Sequence, residues 1–428
     1  MTEEKGTVSL RGVRAALVVL EEGSVSRAAP ALFISQPALS RLIKVTEERL
    51  GVELFERRPD GIVPHTQAGS IFDRFRRIRQ QLKQASQELS FLPEMQGTEV
   101  PFYRHAALRH LRALVATGDS GSATAAAAML GHSTTAVARA IRDVEELVGL
   151  SLFERRPGHM VLTKAGALLV RQAKLVLHEL RYVCEEMEAR SGTLTGRVAI
   201  GSMPLARSFL IPEALSRLSQ THPELRFSIV EGPYSTLLDG LHCGDLDVIV
   251  GALREPAPAK NVQEDVLYRT PLSIVVRRGH PLAGRSHIGM EELSRASWVV
   301  PVKGTPARAK FEMLFRQAKL PPPTVVVECS SSIATRELLL RNDWIAIVTR
   351  QQIHFEEQFG ILEVLPIELP GTARSIGFSV RADMSLPPAS AAFIESLRAV
   401  SDQLIRKENE AELSARFFEH KHGRLPHS

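Results

Sequence analysis

The chain has 428 residues, 44% of them hydrophobic, a net charge of +5 and three cysteines. That size suits two to four domains with separate cores, and no apolar run approaches the ~18–20 residues of a spanning helix. The polar start lacks the order of a secretory leader, so a reducing cytoplasm with no membrane association is expected. Cys184, Cys243 and Cys329 stand too far apart for a zinc pattern, and an odd number gives no disulfide framework. They are expected to be buried inert thiols rather than a Cys243–Cys329 switch. Most of the basic excess lies in the first 190 residues, which suits a polyanion bound by placed side chains rather than by bulk charge.

Residues 1–9 are polar and expected to fray. From Leu10 the chain reads as helix, tight turn, helix, short turn, longer helix and basic hairpin. That pattern occurs twice. Leu54-Phe55-Glu56-Arg57-Arg58-Pro59 returns as Leu152-Phe153-Glu154-Arg155-Arg156-Pro157, and residues 10–59 laid on 108–157 agree at 22 of 50 positions. Ser24 and Ser122 are expected to cap the second helix of each copy, and Ser35 and Ser133 the third, which Gly51 or Gly149 ends. Pro30 predicts a kinked or short second helix in the first copy. An amphipathic helix follows over 71–89, then a linker over 91–105. The helix after the second copy, 165–190, carries Leu168, Val170, Leu175, Val176, Leu180 and Val183 at helical spacing, a stripe that suits self-association between chains or an ordinary core face.

From Gly196 short β-branched runs alternate with helical patterns, which predicts parallel sheets with helices on both faces. Such sheets bind ligands beyond their carboxyl edges. Residues 406–428 read as a loose charged tail whose His420, His422 and His427 form no expected metal site. The chain offers no GxSxG elbow, phosphate loop or His-Glu-x-x-His pair, and Ser202, His242 and Asp245 make a triad only on paper. No catalysis, metal or cofactor is expected.

The run Gly23-Ser24, Ala28-Ala29, Ser35-Gln36-Pro37-Ala38-Leu39-Ser40-Arg41-Leu42-Ile43, Leu54-Phe55-Glu56-Arg57 and Thr66-Gln67-Ala68-Gly69 resembles the amino-terminal signature of the LysR-type transcriptional regulators. Gly244-Asp245-Leu246-Asp247 and Gly279-His280-Pro281-Leu282-Ala283 resemble landmarks of the same family's effector domain. Gly201-Ser202-Met203-Pro204-Leu205-Ala206 with Gly232-Pro233-Tyr234 is most similar to the branch named for the galactose-binding-protein regulator. The family normally has one helix-turn-helix unit, so the duplication is a departure.

The resemblance implies an α/β multidomain protein. It would have two winged helix-turn-helix units, over 1–90 with a trailing helix and over 106–166, joined by the 91–105 linker. A linker and dimerisation helix would span 167–193, and a two-lobed periplasmic-binding-protein-like α/β effector domain 194–405. Expected DNA-binding residues are Ser35, Gln36, Pro37, Ser40, Arg41, Lys44, Arg57 and Arg58 in the first copy, and Ser133, Thr134, Thr135, Arg139, Arg142, Arg155 and Arg156 in the second. Hydroxyls and helix starts after strand ends mark Ser202, Met203, Tyr234, Ser235, Thr305, Arg308, Ser331 and Ser332 for a carboxylate or sugar-derived effector. The implied partners are double-stranded DNA, that effector and further copies in a homodimer or homotetramer. Three other readings stay open: a doubled bundle used only for packing, an effector-binding protein whose units meet proteins instead of DNA, and a solute receptor with an added domain.

Overall fold

The computed structural model describes residues 8–59, 61–95, 98, 100–190, 192–254, 261–382 and 384–422. The chain divides into two compact bodies, with the main boundary between Leu194 and Thr195. Among the described residues, no helix is long and apolar enough to cross a membrane.

In the first body, helices α1 (Leu10–Glu22), α2 (Val25–Ala31) and α3 (Gln36–Leu50) precede an antiparallel hairpin, β1 (Phe55–Arg58) with β2 (Gly61–Pro64), and helix α4 (Gly69–Ser90). A short helix α5 (Phe102–His105) lies in the linker. The second copy repeats the order as α6 (Leu108–Ser120), α7 (Ala123–Leu130), α8 (Thr134–Val148), β3 (Phe153–Arg156), β4 (His159–Leu162) and α9 (Lys164–Arg190). The start is not frayed throughout, because Val8 is buried and the Ser9 hydroxyl caps α1 at the Gly12 amide.

Local chemistry explains most boundaries. The hydroxyls of Ser35 and Ser133 accept from the amides of Ala38 and Ala136, while Gly51 and Gly149 both close their helices at φ 69°. Ser122 caps α7, but Ser24, expected to do the same for α2, makes no side-chain cap bond. Pro30 sits one residue before the end of α2, which is one residue shorter than α7. At the turn that follows, the second copy has Gly131 at φ 64°, whereas the first holds Phe33 in the same left-handed region at φ 55° with its ring 95% exposed. A bulky residue is strained there.

One apolar cluster runs through both copies and the two trailing helices. Ile71, Phe72, Phe75, Ile78 and Leu82 of α4 pack into it with Leu169, Val176, Leu180 and Val183 of α9. Of the stripe of α9, Val170, Val176, Leu180 and Val183 are buried in this cluster and Leu168 packs partly against it. Across α4 and α9 runs an ion network. Arg74 Nη1 lies 3.3 Å from Glu179 and its Nε 2.9 Å from Glu186; Arg77 reaches the other oxygen of Glu179 at 3.2 Å. The side chains of Arg74 and Glu179 are only 3% and 4% exposed. Burying such charges is tolerable because each is paired and the guanidinium also faces the Tyr182 ring, 5.4 Å to its centroid.

The second body contains two five-stranded sheets. One has the strand order β6-β5-β7-β14-β8, from β5 (Gly196–Ser202), β6 (Leu225–Glu231), β7 (Val248–Ala252), β8 (Val262–Thr270) and β14 (Arg374–Arg381). The other has the order β11-β10-β12-β9-β13, from β9 (Ser273–Arg277), β10 (Ser297–Val300), β11 (Thr324–Glu328), β12 (Ile345–Val348) and β13 (Leu362–Val364). Helices α10 (Leu210–Thr221), α11 (Tyr234–Cys243), α12 (Met290–Arg295), α13 (Pro306–Gln317), α14 (Ser332–Arg341), α15 (His354–Gln358) and α16 (Pro388–His422) complete it. The expected parallel pairing forms part of each sheet, and antiparallel strands complete both. Strands β5, β6 and β7 pair in parallel, as do β10, β11 and β12, but β14 runs antiparallel to β7 and β8, and β9 antiparallel to β12 and β13. The path accounts for β14: the chain leaves the first lobe after β8, builds the second, and only then returns. Where a loose tail was expected from 406, the backbone is helical to His422, and His427 lies outside the described residues.

Two expected outcomes follow. A Cβ on Gly166 would meet the Leu152 carbonyl oxygen at 2.0 Å, while one on its counterpart Gly69 meets nothing within 4 Å. Gly166→Ala should lower the stability of the first body by about 1–3 kcal/mol, whereas Gly69→Ala should raise it by up to about 1 kcal/mol through helix propensity, as thermal unfolding will register. The second concerns Glu186. Burial alone would raise its carboxyl, but Ser70, Arg74 and Arg190 outweigh that and hold it below the ordinary carboxylate range. A depressed pKa stabilises above the unfolded value of ~4.3 and is lost as pH falls through the folded value. The stability gap between wild type and Glu186→Gln, from urea titrations, should therefore be full near pH 7 and shrink steadily below about pH 4.5.

Candidate DNA-reading surfaces and effector cleft

All the residues expected to contact DNA are exposed: those on α3 and its cap, those on α8 and its cap, and the arginine pairs of both hairpins. The buried sides of the same helices, Leu39, Ile43 and Leu50 in α3 and Val137, Ile141, Val144 and Val148 in α8, fix which face turns outward. Most of these cations are weakly held. Lys44 lies 3.9 Å from Glu48, and Arg58 and Arg156 lie 3.4 Å from Glu56 and Glu154. Pairs this open contribute little, which leaves the charges available to phosphate.

Each hairpin is tied to its reading helix by a device absent from the sequence-derived site. Glu47 Oε1 accepts from the Leu54 amide at 2.8 Å, and Glu145 Oε1 accepts from the Leu152 amide at the same distance. Both glutamates lie in the identical Glu-Glu pairs 47–48 and 145–146, and that repetition was the available signal. The hairpin is fixed again at its far end, where Ile62 donates to the Gly23 carbonyl at 3.0 Å and Met160 to that of Gly121 at 2.7 Å.

In the second body a cleft of about 660 Å³ lies between the two sheets. Met203, Tyr234, Ser235, Thr305, Ser331 and Ser332 line it, as the sequence led one to expect. Ser202 and Arg308 do not. Ser202 is the last residue of β5, is 1% exposed, and leads into turns rather than a helix, since α10 starts only at Leu210. Its Oγ donates weakly to the Met203 carbonyl at 3.5 Å, so no triad is assembled on it. Arg308 is buried and instead lines an adjoining hollow with Arg254, Lys303, Thr305 and Arg374, its guanidinium 2.7 Å from Glu312 and 3.0 Å from Glu328. Thr305 and Ser331 are the caps of α13 and α14, accepting from the amides of Arg308 and Ala334.

The sequence reading missed the cleft's cations. Arg374 opens β14, a strand with no clear signal, and its Nε finds no hydrogen-bond partner among the described residues. Burial pushes its guanidinium down to about 10. Arg254 stacks on Tyr234, 4.4 Å from the ring centroid, and Lys303 stands at the tight turn before α13. No carboxylate pairs with these three among the described residues. Arg207 and Arg336 are instead committed, to Glu231 and to Glu356 respectively. The Ser332 hydroxyl, also at the cleft, is buried and unpartnered among the described residues. Burial and then the Glu264 carboxylate push Tyr234 up to about 12, so its phenol stays neutral. The three cysteines are half-buried thiols outside any disulfide, with Cys329 on the cleft wall.

A reading helix beside a basic hairpin, present in two copies and followed by a two-lobed domain with a solute-sized cleft, defines an effector-linked DNA-binding protein. A sequence profile described as the LysR substrate binding domain matches residues 191–402, and one for the bacterial regulatory helix-turn-helix protein of the lysR family matches twice, at 10–70 and 108–167. HTH-type transcriptional regulator GalR of Pseudomonas putida is 34% identical over 394 residues, covering 92% of this chain and 97% of the relative. That alignment leaves out less of this chain than one helix-turn-helix unit occupies, so it runs through both copies. GbpR of Azospirillum brasilense is 27% identical over 302 residues, 70% of this chain and 88% of its own. A full-length OxyR variant from Pseudomonas aeruginosa shares the fold with TM-score 0.56 at 24% identity, covering 69% of this chain and 95% of that one. So does full-length CbnR in complex with its target DNA, with TM-score 0.51 at 20% identity over 68% of this chain and 99% of that one. The chain belongs to the LysR family of bacterial regulators. It is a DNA-binding transcriptional regulator with a carboxy-terminal effector domain, in a family that binds small molecules, forms oligomers and is not enzymatic.

Proposed function

We propose that this cytoplasmic regulator answers to a small carboxylate held between the lobes of its second body. The observation that carries this is Arg374, whose Nε is buried and finds no partner among the described residues, on the same cleft as Arg254 and the capped starts of α13 and α14. Cations without a carboxylate partner and helix amino ends favour an anion over a neutral sugar. Thr305, Ser331 and Ser332 would supply hydroxyl contacts, and Met203 and Val299 the apolar wall.

On DNA, we assign the exposed faces of α3 and α8 to the major groove and the hairpin arginines to phosphate. Gln36 can bond adenine at two points and Arg41 guanine; α8 has Thr134 and Arg139 at those positions. Both copies then touch DNA and the first dominates base choice, in a homodimer or homotetramer.

Two measurements test these assignments. In thermal-shift and calorimetric titrations with a panel of small carboxylates and their neutral amides, only carboxylates should bind. Arg374→Met should weaken them by about 10- to 100-fold, the loss of one charged hydrogen bond, and Ser202→Ala should leave affinity unchanged. A panel in which the amides bind as well as the acids would defeat the carboxylate assignment. For DNA, fragments selected by the pure protein should be bound with discrimination reduced by about 1–3 kcal/mol per lost bidentate pair in Gln36→Ala and Arg41→Ala, whereas Arg155→Ala should lower affinity across all sequences alike.

A further inference from the structure

We infer that one chain reads two unlike half-sites of one duplex at the same time, because α4 and α9 join its two helix-turn-helix copies as a twofold-like pair. The inference rests on the DNA-binding reading above and adds to it how many recognition helices a single chain presents, and to what.

Sequence supplies the equivalence of the two trailing helices. Beyond the extra residue in the first hairpin, Thr66-Gln67-Ala68-Gly69 corresponds to Thr163-Lys164-Ala165-Gly166, so Arg74 corresponds to Arg171 and Glu88 to Glu185. The contacts show that the helices run antiparallel. Arg190, at the end of α9, donates to the Ser70 hydroxyl at the start of α4 at 2.8 Å, while Arg171 near the start of α9 reaches Glu88 near the end of α4 at 2.7 Å. The decisive feature is that the ion pairs exchange with the copies. Arg171 of α9 pairs with Glu88 of α4, and its counterpart Arg74 of α4 pairs with Glu186 of α9, one residue beyond the counterpart of Glu88. Two related helices, antiparallel and with interchangeable contacts, are related by an approximate twofold axis across the pair.

Each copy's reading helix is fixed to its own trailing helix through the shared apolar cluster. The axis that exchanges α4 with α9 therefore also exchanges α3 with α8. Two half-sites on a duplex have the same approximate symmetry, and helix-turn-helix pairs related by a twofold place their reading helices in major grooves one turn apart or a multiple of it. The arrangement is normally made by two identical chains reading two identical halves. Here the outward positions differ: Gln36 against Thr134, Ser40 against Ala138 and Lys44 against Arg142. The halves they select must differ too. Covalent linkage raises the effective concentration of the second copy once the first is bound, so the pair acts as one reader even where either copy alone is weak.

The test uses the full chain and exposed substitutions that leave the core intact. Duplexes are first selected from random sequence by wild-type protein, and each half of the recovered site is then scrambled in turn. The expected site is bipartite with dissimilar halves. Gln36→Ala with Arg41→Ala should become nearly indifferent to scrambling one half, yet still lose about tenfold or more when the other is scrambled. Arg139→Ala with Arg142→Ala should show the reverse. Inserting about half a helical turn of DNA between the halves should weaken wild-type binding about tenfold or more. A site of two identical halves, two variants that respond to the same half, or an insertion without effect would each overturn the inference while leaving sequence-selective binding in place. Recovery of no preferred sequence would instead remove the DNA-reading assignment on which it rests.

Discussion

The organisation of the first body depends on a charge buried between two helices. Arg74 can sit at 2% exposure only because Glu179 and Glu186 reach it from α9 and Tyr182 covers its face. A buried ion pair adds little net stability, but removing one partner strands the other, so the pair penalises every register of α4 on α9 except one. The apolar residues around it supply the adhesion and the ions choose the alignment. Once that alignment is set, both helix-turn-helix copies are placed.

The same constraint redirects an expectation. A long helix with an apolar stripe and no evident neighbour suits pairing with its copy in another chain. The duplication supplies a second long helix in the same chain, and an intramolecular partner at high effective concentration takes the face first.

Much of the architecture was legible because the repeat could be compared with itself. Where both copies keep a residue for backbone reasons, as with Ser35 and Ser133 or Gly51 and Gly149, the local geometry repeats to within a few degrees. What was not legible depends on partners far apart in sequence. Strand β14 carries Ser375, Gly377 and Ser379 along a short run, and becomes a strand because β7 and β8 lie on either side of it. Its first residue, Arg374, was lost to the sequence reading with it. Ser202 was misplaced for the opposite reason: a hydroxyl after a strand looks like a helix cap, but β5 ends in turns and the side chain is buried. The glutamates that hold the hairpins were visible as repeated letters, but their roles required the amides of Leu54 and Leu152 to be brought back to them.

The divergence between α3 and α8 also has a genetic side. In an assembly of identical chains, a single codon change in a reading helix appears in every half-site contact at once, so any gain at one half is tied to the same change at the other. Here Gln36 and Thr134 are encoded separately although they occupy equivalent places in the fold. If each copy holds one half of the operator, either can mutate while its counterpart keeps the complex on DNA, so that a new operator is approached one half at a time.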